Sequence, residues 1–205
     1  MITRTQLTCL IAGPLTMTAG RALLVPHDDE DYTGVLTEMT AAPARNAIGW
    51  FLAFLACALL IPASTTLAAT FHDRFPRLSS ATSVLLIIGW VSTSSTAPNM
   101  LLAADIADHA PLPSVVAGMD AYNDGIAGAF FLTSLLGIIG AITLAVGLYR
   151  SATVPKPAAA LIGLGAVLTI GTMPGPLQAL LIASSTVLLL GTTWSALALR
   201  HPPTA

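Results

Sequence analysis

Six apolar runs, at about residues 6–25, 46–68, 82–104, 127–149, 158–173 and 177–199, leave this chain few ways to fold. Each is close to the roughly 20 residues that a helix needs to cross the hydrocarbon of a bilayer. The runs are continuous rather than alternating, which points to helices and against a β-barrel. Only 9% of the residues are charged and 55% are hydrophobic, whereas soluble domains carry about 25% charged residues. The prediction is an all-α, polytopic protein of the cell membrane, one domain over residues 1–205, built as a six-transmembrane-helix bundle. The first run resembles a signal peptide at its start, with Arg4 ahead of it and Thr18-Ala19-Gly20 as a small-residue site. Its apolar character continues to Val25, so it is read as a helix.

Charge placement sets the expected orientation. With the N-terminus inside, Arg4, Arg74, Arg77, Arg150, Lys156 and Arg200 fall on the cytoplasmic side, six of the eight basic residues. Arg21 and Arg45 fall outside, together with every carboxylate except Asp73. This is the positive-inside pattern for six spans with both termini cytoplasmic. The net charge of −2, without a basic patch, excludes a nucleic-acid partner. Cys9 and Cys57 both lie within apolar runs and read as buried small residues, with no CxxC pair.

The third run contains the least usual chemistry. Its middle reads Ser92-Thr93-Ser94-Ser95-Thr96, followed by Pro98 and Asn99. Ser92, Ser95 or Thr96, and Asn99 share a helical face that should turn inward. Pro98 cannot donate to the carbonyl of Ser94, so a kink and a freed carbonyl are expected there. Two long outer loops follow the first and third runs. In the first, Val35, Leu36 and Met39 fall on one side of a short segment; in the second, Val115, Met119 and Tyr122 do the same. Both loops read as short amphipathic helices over the outer mouth of the bundle.

Arg21 lies about one turn from the end of the first run, where a charge must be paired, bind an anion or reach outward. Asp105 is the expected ion-pair partner; a lipid phosphate, diphosphate or carboxylate is the alternative. Asp105 and Asp108, and Asp120 and Asp124, have spacings that place each pair on one helical face. These acids are a solvated rim, a general acid–base set for a substrate held in the bundle, or cation ligands with His27 or His109. Asn99 and Gln178 are expected to hydrogen-bond between helices. Glycines of the fourth and fifth runs are expected to permit close packing. Asp28-Asp29-Glu30-Asp31-Tyr32 is not a DDxxD motif, and no HExxH, GxxxxGK[ST] or GxSxG is present.

Residues 10–26, Pro43-Ala44-Arg45, residues 59–78 and residues 154–168 together resemble small six-helix actinobacterial membrane proteins. That resemblance covers most of the chain and implies a membrane bundle without an assigned chemistry. More loosely, a compact bundle with interior polar groups and rim acids is similar in kind to integral-membrane terpene cyclases.

The function expected from these features is binding of a lipid or isoprenoid-like small molecule in a polar-lined cavity open to the outer side. Arg21, Asn99, Ser95 and Tyr122 are the candidate ligand contacts. If there is catalysis, cofactor-free acid–base isomerisation or cyclisation needs the fewest further groups, with Asp105, Asp120 and Asp124 as acids or bases. No metal or cofactor is called for. The competing expectation is a non-catalytic accessory or assembly subunit of a larger membrane complex; a homo-oligomer is the other expected assembly.

Overall fold

A computed structural model describes residues 3–24, 32–122, 125, 128–171 and 178–200. Among these residues the chain is all-helical, with no strand. The helices are α1 (Arg4–Leu23), α2 (Tyr32–Ala41), α3 (Pro43–Ala69), α4 (Pro76–Ser94), α5 (Thr96–Ala107), α6 (Leu112–Tyr122), α7 (Gly128–Ser151), α8 (Lys156–Ile170) and α9 (Gln178–Arg200). The six apolar runs correspond to α1, α3, α4 with α5, α7, α8 and α9. Four stretches are long and apolar enough to cross a membrane: Pro43–Ala69, Pro76–Ala107, Leu132–Ser151 and Gln178–Arg200. Helix α8 is apolar but has 15 residues, about 22 Å at 1.5 Å per residue.

Helix starts follow local chemistry. Thr3 and Gln6 form a capping box on α1, with Gln6 N–H donating to Thr3 Oγ1 at 3.2 Å and Thr3 N–H donating to Gln6 Oε1 at 2.9 Å. Helices α3 and α4 begin on prolines and α8 has Pro157 as its second residue, where a missing N–H costs nothing in a first turn. In place of the kink expected at Pro98, a break separates α4 from α5 at Ser95. Around it the hydroxyls of Thr93, Ser94 and Ser95 donate to the carbonyls of Gly89, Val91 and Ser92 at 2.7–2.8 Å. The hydroxyls of the polar run thus bond back to carbonyls of the turn before the interruption.

The long helices close into a ring. Helix α1 packs on α3, α3 on α4, α4 on α7, α7 on α8, α8 on α9, and α9 returns to α1. Neighbours run antiparallel. Gly13 meets Leu60 while Gly20 meets Gly49; Gly89 meets Gly137 while Leu86 meets Gly140; Gly165 meets Leu188 while Ile162 meets Gly191. The main core lies toward the end where α1 begins, with Leu10, Leu67, Phe71, Leu148 and Ile162 fully buried. At the other end α2, α5 and α6 form a second layer. The apolar sides expected of the two loop segments are the ones buried: Val35 and Met39 on Met100, and Leu36 on Ala103 and Val115.

Polarity is arranged inside out. Phe51, Val84, Leu132, Val167 and Leu190 are more than half exposed, whereas Ser64, Thr82, Ser92, Ser185 and Ser195 are buried. Thr82 and Thr143 hydrogen-bond across α4 and α7 at 3.1 Å, as do Ser92 and Thr133 at 2.8 Å. Between these pairs, Gly89 and Gly137 bring the two backbones together, and a Cβ on Gly137 would lie 3.1 Å from the Gly89 Cα. A Cβ on Gly89 would overlap the Gly137 backbone. Gly89→Ala should therefore lower stability in detergent by about 1–3 kcal/mol, the usual range for overpacking. Gly118→Ala on α6, with nothing within 4 Å, should leave the melting temperature unchanged or raise it.

Candidate functional site

A cavity of about 180 Å³ lies within the ring, between α1, α4, α7, α8 and α9. Met17 and Arg21 reach it from α1, one turn apart on the same face. Gly89, Trp90 and Thr93 come from α4; Ser134, Gly137, Ile138 and Ala141 from α7; Gly165, Ala166 and Thr169 from α8; Ser184, Ser185 and Leu188 from α9. The spacings of three and four on α7, α8 and α9 give each of them a largely small or hydroxyl-bearing face toward the centre. Bulky outward residues and small inward ones leave the space between the helices unfilled.

Among the described residues, Arg21 is the one charged residue lining this cavity. Its Nη1 donates to the Leu181 carbonyl and to Ser184 Oγ, each at 3.0 Å. The pairing with Asp105 expected from depth along the helices does not occur. Helix α1 packs between α3 and α9, so the acceptors within reach belong to α9, while Asp105 stands on α5. Gln178 returns the contact, donating from Nε2 to the Leu24 carbonyl at 2.6 Å and to the Arg21 carbonyl at 3.4 Å. This is the interhelical role expected of Gln178. Arg45 Nε adds a 2.8 Å bond to the Leu23 carbonyl. The C-terminal end of α1 is thereby capped from α3 and α9, with two cations at the negative end of its dipole.

The second polar feature of the wall is Trp90. Its Nε1 is buried and has no hydrogen-bond partner, although an indole N–H usually finds one when buried. Trp90, Ser134, Thr169, Ser184 and Ser185 are not among the residues that the sequence singles out. The available signal was the recurrence of Gly, Ala, Ser and Thr at helical spacing on α7, α8 and α9.

The remaining predicted site residues lie elsewhere. Asn99 and Tyr122 come together, the Asn99 Nδ2 donating to the Tyr122 hydroxyl at 2.7 Å. They edge an apolar cavity of about 360 Å³ between α5 and α6, with Leu102, Ile106, Val115 and Met119. Asp105 and Asp108, both exposed, border a third cavity of about 230 Å³ with Met39, Asn46 and Leu101. Asp120 is exposed on α6. Ser95 bonds within its own helix and lines none of these cavities. Asp124 and the run from His27 to Asp31 lie outside the described residues. Among the described residues no group of three His, Cys, Asp or Glu side chains could hold a metal ion. No family model, curated protein or solved structure matches the chain.

Two measurements follow from the α5–α6 region. Tyr122→Phe removes the Asn99 bond and should cost about 0.5–1.5 kcal/mol, the net value of one such bond. His109, exposed beyond the end of α5, has its pKa raised above the ordinary 6.5. Its Nδ1 lies 2.8 Å from the Asp105 carbonyl, the main cause, and the charges of Asp108 and then Asp105 add to it. A raised folded value favours the protonated state, so its contribution to stability is complete below 6.5 and is lost as pH rises through the folded value. A proton NMR titration of the ring should place its midpoint above 6.5. Asp108→Asn should lower it, and Asp105→Asn should leave part of the rise because the backbone carbonyl remains.

Proposed function

We propose that the chain is a multi-pass membrane protein whose ring cavity binds a hydrophobic small molecule, of the lipid or isoprenoid kind, through a hydrogen-bond-accepting group. The carrying observation is that the same cavity is lined by Arg21 and by Trp90, whose indole N–H is buried without a partner. Isolated cations and unsatisfied donors are both costly inside an apolar bundle. A ligand acceptor satisfies the two together.

Six crossings with both termini on one side accord with the antiparallel ring. Its helix ends gather Arg4, Arg74, Arg77, Arg150, Lys156 and Arg200 at one face, and the cavity lies nearer the opposite face. By the positive-inside rule the crowded face is cytoplasmic and the cavity belongs to the outer half. Binding is the activity this geometry supports best. Asp105 and Asp120 stand apart from the Arg21 cavity, so acid–base chemistry on a ligand held there would need a proton carrier other than these two carboxylates.

Solvent extraction of protein purified in mild detergent, followed by mass spectrometry, tests the reading. A hydrophobic compound should be released in stoichiometric amount. Ala141→Phe, which projects into the cavity, should release none while keeping its melting temperature. Equal release from both proteins would remove the ring cavity as the site. A stoichiometric protein partner with no compound would replace binding by an accessory role.

A further inference from the structure

Resting on that reading, we infer that the ring cavity selects a compact hydrophobic monocarboxylate, held side-on by Arg21 and by the Trp90 N–H. The division of labour within the guanidinium carries the argument. Both described bonds of Arg21 leave from Nη1, one to the Leu181 carbonyl and one to Ser184 Oγ. Two bonds use both protons of that nitrogen. Nε–H and Nη2–H, the two parallel donors on the guanidinium's side edge, have no partner among the described residues. That edge matches the two oxygens of a carboxylate.

Charge and size narrow the class further. Among the described residues no carboxylate or histidine lines the cavity, and one cation does. A monoanion neutralises it, whereas a phosphate dianion or a diphosphate would leave excess negative charge in an apolar bundle, which is costly. The hydroxyls of Thr93, Ser184 and Ser185 donate to carbonyls of their own helices, so their protons are already committed. Trp90 supplies one further donor and its indole face an apolar wall. An apolar cavity of about 150 Å³ accommodates benzene. At about 180 Å³, this one suits a six- or seven-carbon body with its carboxylate, while a longer chain must pass out between the helices.

Full-length protein in detergent, labelled with ¹⁵N in its tryptophan indoles, provides the test, with the Trp90 signal assigned from Trp90→Phe. Benzoate and cyclohexanecarboxylate should saturably shift the Trp90 N–H resonance and raise the melting temperature. Methyl benzoate, benzyl alcohol, inorganic phosphate and chloride at equal concentration should do neither. Arg21→Lys keeps the charge and loses the fork, and should weaken benzoate binding by about tenfold or more. Trp90→Phe, read by melting temperature, should weaken it by roughly tenfold, one hydrogen bond to a charged group. If Arg21→Lys does not fold, Trp90→Phe and the probe panel decide alone. Equal binding of methyl benzoate and benzoate, or binding of phosphate or chloride instead, overturns the monocarboxylate assignment and leaves the cavity as the site. If no probe moves the Trp90 resonance, the monocarboxylate assignment falls, while the cavity reading is decided separately by the extraction experiment.

Discussion

A backbone carbonyl freed inside an apolar bundle has no water to turn to, and the helical ends and breaks of this fold are organised by that fact. The C-terminal turn of α1 is the clearest case. Its last carbonyls receive Gln178 from α9 and Arg45 from α3, so one local requirement fastens three helices. At the break between α4 and α5, nearby hydroxyls bond back to carbonyls of the preceding turn. Remove the requirement, as water would, and neither a glutamine at the start of α9 nor a serine–threonine run within α4 has a structural reason to be there.

Close approach of backbones is the complementary requirement. Without a hydrophobic drive between helices, association in lipid rests on contact area and interhelical hydrogen bonds. Gly89 on Gly137, flanked by Thr82–Thr143 and Ser92–Thr133 pairs, supplies both along one seam of α4 and α7. Glycine and alanine also recur on the faces of α7 and α8 that border the cavity. Small residues bring helices together where they meet another helix and leave space where they meet the centre. The cavity and the seam are therefore products of the same composition.

This explains what could be read from the chain and what could not. Helix positions follow from apolar length and proline placement, and the amphipathic segments in the outer loops from Val35, Leu36, Met39 and Val115, because these signals are local. The mutual contact of Asn99 and Tyr122 was not legible, because the sequence shows Tyr122 only on the apolar side of its segment, with Val115 and Met119. Nor was the partner of Arg21. Periodicity says which face of α1 carries the charge, and loop lengths say how deep it sits, but neither gives the order of helices around the ring. Depth matching favoured Asp105, whereas the closure of α9 on α1 gave the bond to Leu181 and Ser184. Trp90 escaped for a related reason, since an indole becomes conspicuous only once its N–H is known to lack an acceptor.

Scaffold and site are then not competing descriptions of Arg21. Its planar fork allows one nitrogen to tie α1 to α9 while the opposite edge remains available, a division that a lysine ammonium, with three equivalent protons, cannot hold in fixed directions. For the binding role proposed above, the tie would fix the guanidinium plane in advance and so reduce the ordering cost of binding. The missing bond to Asp105 bears on the same proposal, because a guanidinium anchored on the neutral acceptors Leu181 and Ser184 has no carboxylate partner there to compete with an anion.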